Sequence, residues 1–393
     1  MKEYLSNKIN DLPASATLTM AAKAREMKNE GVDIIGLSLG EPDFNIPEYI
    51  KDAAIDAIND NYNSYTPVDG YLDLKQSISN KFKRDNNLNY NTNQIVVSTG
   101  AKQSIANAVQ ALVKPGEEVI LLAPFWVSYS AIVLMAEGIP KIIKSDISSD
   151  FKVNAEEIEK AISDKTKMII INSPNNPSGS VFNFEELNKI ASILRKYPEI
   201  FVLSDEIYEH INYGVKHVSF ASIDGMYERT ITVNGIAKAF AMTGWRIGYI
   251  MSANKEAMAQ MTKLQYYITA CSNDAMQYAV LAAFENANDY PDEMCAEFKS
   301  RRDLICTRLN AMPGVQCHVP EGAFYVFPKV EVPGMSSEEV AIELLKGGVL
   351  CSPGSAFGQS GEGHLRFAYT ISRDDISRGM DKTEAVLKRL RGE

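Results

Sequence analysis

Short apolar runs rich in β-branched residues recur through the middle of the chain. They are IVVS at 95–98, EVILL at 118–122, KIIKS at 141–145, KMIII at 167–171, IFVLS at 200–204, TITV at 230–233 and IGYIM at 247–251. Longer helical patterns lie between several of them, such as Lys102–Val113 and Phe184–Tyr197. Continuous apolar strands separated by helices predict a largely parallel sheet, buried on both faces. Several strands run into a polar or Gly/Pro-rich segment: TGAK at 99–102, APFW at 123–126, NSPNNPSG at 172–179, DEIY at 205–208 and NGIAK at 234–238. Open α/β sheets bind ligands beyond the carboxyl ends of their strands. These five segments, distant in sequence, are therefore expected on one rim.

The chain changes character toward its C-terminus. Asp292–Leu309 reads as one long charged helix. Short strands follow around Phe324–Phe327 and Leu365–Tyr369, with a helical segment between them. This predicts a second, smaller α/β domain. The residues ahead of a helix at Glu48–Asn59 are expected to pack with it, giving a large domain at 47–288 and a small one from 1–46 and 289–393.

Composition narrows the class. The 393 residues are 45% hydrophobic and 23% charged, enough for a sizeable core or two domains. A net charge of −10 argues against nucleic acid as a partner. Five cysteines lie scattered without a CxxC pair, which fits reduced thiols better than a disulfide framework. The four histidines, His210, His217, His318 and His364, lack metal-ligand spacing, so no metal is expected. The opening MKEYLSNKINDLP has no apolar signal core, and Pro124, Ser128, Tyr129 and Ser130 interrupt the uncharged run from Val119 to Ala136. The expectation is a cytoplasmic protein without a membrane partner.

Candidate chemistry sits at the strand ends. In GIAKAFAMTGWRIG at 235–248, Lys238 lies just past a strand among apolar residues, and Arg246 follows eight positions on. These are either two solvated cations or a buried amine; burial lowers a lysine pKa and frees the amine to form an imine with a carbonyl. Asp205 ends the strand IFVLSD. It is either a helix cap or satisfied core carboxylate, or a carboxylate that keeps a heterocycle protonated, with Tyr208 in reach of the same ring. NSPNNPSG is either a well-built turn or a rigid platform presenting the Asn176 amide. TGAKQ starts a helix directly after a strand, where free N–H groups suit a phosphate. Lys102 sharpens that reading, because a cation in the first helical turn opposes the macrodipole unless an anion is near. Trp126 is either a core aromatic or a stacking surface.

SPNNPSG, SDEIYEH and NGIAKAFAMTGWRIGY, in that order, resemble the class I aminotransferases of pyridoxal 5'-phosphate (PLP) fold type I. The likeness is nearest to bacterial aspartate aminotransferases with Lys in the TGAKQ turn. It runs from the PSATLTMAAKA region to LRFAYT at 365–370. The resemblance implies an α/β fold with a mostly parallel central sheet flanked by helices, plus a smaller α/β domain built from both termini. It implies pyridoxal 5'-phosphate carried by Lys238, with Lys238, Asp205 and Trp126 as the catalytic set. Asp205 would pair with the ring nitrogen, Tyr208 and Asn176 with the phenolic oxygen, and Trp126 would stack on the ring. Arg246 and the Gly100–Ala101–Lys102 backbone would take the phosphate. Tyr65, in SYTPVDG, would reach the phosphate of a second subunit, which implies a homodimer with shared sites. Gly40, Trp126, Asn176 and Arg366 would contact substrate, Arg366 through its α-carboxylate. Lys102 and Thr17, with Ser15, would lie near a distal carboxylate.

Many relatives carry Ser where this chain has Gly100, Gly235 and Ala237, so fewer hydroxyl donors are expected around the phosphate. The expected reaction is ping-pong transfer of an amino group between aspartate, or a similar acidic amino acid, and 2-oxoglutarate. Other donors or acceptors, including prephenate and aromatic substrates, and a fold-type-I lyase reaction are the alternatives.

Overall fold

The computed structural model describes residue 12 and residues 16–286 and 289–393, with the side chains of 16–18 left out. All seven predicted runs form strands: β1 (Ile95–Ser98), β2 (Glu118–Ala123), β3 (Ile139–Lys144), β4 (Thr166–Asn172), β5 (Phe201–Asp205), β6 (Thr230–Asn234) and β7 (Gly248–Met251). They build one seven-stranded sheet in the order β1-β7-β6-β5-β4-β2-β3. β3 begins two residues earlier than the pattern suggested and runs through Pro140. It is an edge strand, where a missing N–H is tolerated.

Alternate residues of each strand enter opposite cores, as the strand pleat requires. Val119, Leu121, Met168, Ile170, Leu203 and Ile231 pack on helices Ala101–Leu112, Ser128–Met135 and Lys255–Thr269. Ile120, Ile169, Ile171 and Val202 pack the other way, on helices Ala155–Ala161 and Phe184–Leu194. Ile95, Val97, Tyr249 and Met251 meet helices Glu48–Asn59, Leu72–Asn86 and Asp274–Glu285 on that second face.

Parallel pairing joins β3, β2, β4, β5 and β6, while β7 runs antiparallel to both β6 and β1. The reversal matters for the site. It brings the amino end of β7, and Arg246 just before it, to the rim where the other strands end. In register, Asn172 stands beside Asp205, and Ser98 beside Gly248.

A separate core joins Met20, Ala24, Ile34, Ile35 and Leu37 to residues from Met294 to Leu387. The long helix there spans Tyr290–Asn310, with Pro291 in its first turn, where its missing N–H costs nothing. Strand Leu365–Ala368 carries Arg366 between strands Tyr325–Val326 and Ser352–Pro353. Tyr208 and Ile211, which follow β5, also enter this core.

Gly248 is the tightest joint between sheet and rim. A Cβ there would lie 2.4 Å from the Ala101 nitrogen and 2.7 Å from the Gly100 carbonyl carbon, both backbone atoms. Gly248→Ala is therefore expected to destabilise the protein by about 1–3 kcal/mol through overpacking. A denaturant midpoint equal to that of the parent would contradict this.

Candidate functional site

The strand ends converge on a cleft of about 510 Å³. Its lining includes Gly40, Gly100, Ala101, Lys102, Trp126, Asn176, Asp205, Tyr208, Lys238, Arg246 and Arg366. They include every expected site residue whose side chain is described, except Tyr65.

Lys238 sits in the turn after β6. Its ammonium donates to the Gly40 carbonyl at 2.7 Å and lies 5.6 Å from the Phe324 ring centre. The side chain keeps some exposure to the cleft, yet protein surrounds its charged end. Burial pulls its pKa down to about 8; Glu41 and Asp205 oppose the shift, and Arg246 and Arg366 reinforce it.

Asp205 ends β5, the strand in the middle of the sheet order, and is 4% exposed. Its Oδ2 accepts from the Tyr129 hydroxyl at 2.6 Å and its Oδ1 from the Ile207 N–H at 3.3 Å. Burial pushes its pKa up to about 6, with those two hydrogen bonds and Lys238 acting in the other direction.

The segment after β5 alternates. Asp205 and Tyr208 line the cleft, while Glu206 and Glu209 lie in a buried polar network behind it. Glu206 Oε1 accepts from Ser204 and Ser219 hydroxyls at 2.7 and 2.9 Å and from the Phe220 N–H at 3.1 Å. Glu209 pairs with the buried ammonium of Lys81 and accepts from Asn234 at 2.9 Å. Lys81, with His210 and His217 beside it, holds the Glu209 carboxyl well below the usual range, against the pull of burial. Ligand atoms of Glu206, Glu209 and His217 lie within 4.8 Å of one another. Glu206 Oε2 lies 3.2 Å from His217 Nε2, so the three side chains form one polar network with Lys81, Asn234 and the serine hydroxyls.

Asn172, the last residue of β4, braces the next turn. Its amide donates to the Asp205 carbonyl at 3.0 Å, and its oxygen accepts from the Asn176 N–H at 2.8 Å. The Asn176 oxygen in turn accepts from Arg366 Nη1 at 3.0 Å, which leaves its NH₂ group free to donate toward the cleft. Arg366 also donates to the Ser38 carbonyl at 2.5 Å and lies over the rings of Tyr325 and Phe357 at 4.6 and 4.8 Å. Its Nε is buried and has no partner among the described residues.

At the other end, Lys102 and Arg246 flank the start of helix Ala101–Leu112. Lys102 lies 4.9 Å from the Trp126 ring centre, and burial followed by repulsion from Arg246 lowers its pKa. Two cations and a helix N-terminus in one place leave an electrostatic cost that an anion would offset.

The glycines at the serine positions have a steric reason. Gly100 has φ +82°, and a Cβ there would lie 2.4 Å from an Arg246 guanidinium nitrogen. The space a serine would take is filled by the arginine. At Gly235 a Cβ would meet Gly248 Cα at 3.1 Å. Fewer hydroxyls thus come with a closer guanidinium. Gly40 has a steric reason too: its missing side chain admits the Tyr325 hydroxyl, 1.9 Å from where a Cβ would be.

One expected residue with a described side chain stands outside the cleft. Tyr65 is 91% exposed and does not line it. The Thr17 side chain and Ser15 lie outside the described residues. Three residues escaped the sequence reading: Tyr129, Asn172 and Tyr325. Tyr325 lines the cleft, and its hydroxyl lies 3.0 Å from that of Tyr208. Tyr129 stands three residues after Trp126 and Asn172 opens the NSPNNPSG turn, so both had positional signals. Tyr325, in an apolar stretch far along the chain, had none.

No helix among the described residues is long and apolar enough to cross a membrane. The sequence profile described as "Aminotransferase class I and II" matches residues 32–382. The chain is 42% identical to an aspartate aminotransferase of Bacillus sp. (strain YM-2), covering 99% of this chain and all of that one. It is 41% identical to a probable aspartate/prephenate aminotransferase of Rickettsia felis, over 97% of this chain and 95% of the other. Among solved structures, the aspartate aminotransferase from Rhizobium meliloti superposes with a TM-score of 0.94 at 39% identity, covering 98% and 99% of the two chains. The aromatic aminotransferase from Pyrococcus horikoshii OT3 gives 0.88 at 38% identity, over 93% and 99%. The motifs, the mostly parallel sheet and these likenesses agree, and the chain belongs to the class I and II aminotransferases.

Proposed function

We propose that this protein transfers an amino group between aspartate, or a similar acidic amino acid, and 2-oxoglutarate, using pyridoxal 5'-phosphate. The observation that carries the reading is the meeting of a desolvated lysine, a buried carboxylate and a buried arginine, Lys238, Asp205 and Arg366, in one cleft.

The residues present fit that cofactor. The cations at Lys102 and Arg246 and the first-turn N–H groups of helix Ala101–Leu112 suit a phosphate. Asp205 suits a cationic ring nitrogen, Tyr208 and the Asn176 amide suit a phenolic oxygen, and the indole of Trp126 suits the ring face. The cofactor supplies an aldehyde that takes up the amine and a protonated ring that accepts the electron pair released at the α-carbon.

The chain's own groups do the rest. Arg366, which lines the cleft, binds the substrate α-carboxylate. The Arg366–Asn176 hydrogen bond couples carboxylate binding to the amide of the NSPNNPSG turn. Lys238 would hold the cofactor, and its amine, when free and neutral, would take the proton from the substrate α-carbon. Burial favours that neutral form, and the nearby guanidinium of Arg366 favours it further. Asp205, in its charged form, would hold a proton on the ring nitrogen.

The preference for a second carboxylate rests on Lys102, with Thr17 as its expected companion. Relatives named for prephenate make that acceptor the second reading to test. Tyr65, with nearly its whole surface exposed, supports a homodimer in which it reaches the other subunit's phosphate. We also propose the domain division at 47–288 against 1–46 and 289–393, and five free thiols support a cytoplasmic setting.

Purified protein offered aspartate, alanine and phenylalanine as donors to 2-oxoglutarate, with prephenate as an alternative acceptor, is expected to turn over aspartate fastest. Lys102→Met is expected to raise KM for aspartate by roughly tenfold, the loss of one charge-assisted contact. No preference for aspartate would overturn the substrate assignment, and ammonia release without an oxo-acid acceptor would indicate a lyase. Lys238 gives a second check. In cofactor-free protein its amine is cationic below its pKa and reactive above it. Acylation of Lys238, read by mass spectrometry, is expected to be half-maximal near pH 8. A midpoint at the ordinary lysine value of about 10.4 would contradict its desolvation.

A further inference from the structure

Asp205 is held from the side by a residue with no assigned part in the reaction. Tyr129 lies in the first turn of helix Ser128–Met135, three positions after Trp126, and is 2% exposed. Its hydroxyl donates to Asp205 Oδ2 at 2.6 Å, and its ring meets the Trp126 indole edge-on, with centroids 5.3 Å apart and planes at 86°. One side chain thus touches both the carboxylate and the aromatic surface of the cleft.

The direction of that hydrogen bond is fixed. Burial, and next the Asp205 charge, hold the Tyr129 phenol well above its ordinary pKa, so it keeps its proton and donates. The other ionisable groups around Asp205 are Glu206, which disfavours its charge, Lys238, which favours it, and Tyr208, whose phenol burial also keeps protonated. A carboxylate at the end of a central strand, stripped of water, has one strong neutral donor and one longer backbone N–H.

We propose that Tyr129 is a positioning residue for amino transfer: its hydroxyl fixes the rotation of the Asp205 carboxylate and favours its charged form, while its ring sets the plane of Trp126. The inference rests on the role proposed above for Asp205. Without the hydroxyl, the carboxyl can take up a proton and turn from acceptor to donor, which is the wrong partner for a cationic ring nitrogen.

The test uses the full chain and two variants. Tyr129→Phe keeps the ring and removes the hydroxyl. Site-specific 3-fluorotyrosine at position 129 is a stronger donor of nearly the same size. The Asp205 carboxyl ¹³C resonance, identified by its loss in Asp205→Asn, is followed against pH without cofactor. Its midpoint is expected to rise by about one pH unit in Tyr129→Phe, the loss of a hydrogen bond to a charged group. The fluorinated residue is expected to lower it. In the loaded enzyme, Tyr129→Phe is expected to reduce kcat about tenfold while KM for the amino donor changes less than about twofold. A midpoint that moves in neither variant overturns the proposal, as does a moved midpoint with unchanged kcat. Moved midpoints in a protein that transfers no amino group in any form would instead refute the amino-transfer reading.

Discussion

The exclusion of water from the Lys238 amine is the constraint that organises this molecule. A lysine in the open would be a hydrated cation, useless as a base at neutral pH. Here its surroundings come from several places in the chain. The turn after β6 carries it, the 38–40 segment supplies the Gly40 carbonyl, and Phe324 covers it from the C-terminal part. The enclosure depends on those parts staying docked. Arg366 takes part from the same side: it donates to the Ser38 carbonyl, while the neighbouring Leu37 carbonyl accepts from the Ala368 N–H at 2.6 Å.

Desolvation acts on Asp205 with the opposite chemical consequence. Burial favours the neutral form of both groups, which suits the lysine and works against the carboxylate. The fold answers by placing donors on Asp205 and by bracing its strand end from behind. Glu206 and Glu209 point away from the cleft into hydroxyls, amides and the Lys81 ammonium. A buried pair of this kind adds little net stability over an apolar core but strongly disfavours any arrangement that separates the partners. Helix Leu72–Asn86 is thereby tied to the back of the segment that presents Asp205 and Tyr208.

Much of this was legible in the sequence, and the physical reasons are visible in particular elements. Strand runs such as KMIII and TITV are apolar because both faces of the sheet are covered, so they could be read without knowing their neighbours. The five punctuated strand ends marked the rim because only there can polar residues follow a buried strand. The direction of β7 was not legible, since an apolar run looks the same read either way; that reversal delivers Arg246 to the rim beside Lys102. Gly100 and Gly235 looked like lost donors until the approach of Arg246 and Gly248 explained them. Tyr129 and Tyr325 were hidden because a buried tyrosine in an apolar stretch reads as core, and its hydroxyl partner comes from elsewhere in the chain.

The central claim is that one lysine amine both holds the cofactor and moves the α-proton. It is tested most directly by following ¹⁵N from labelled aspartate into glutamate in the native chain and in Lys238→Ala, each supplied with cofactor and 2-oxoglutarate. The account predicts labelled glutamate from the native chain and a rate at least roughly 10²-fold lower from the variant. Equal rates from the two proteins would contradict it.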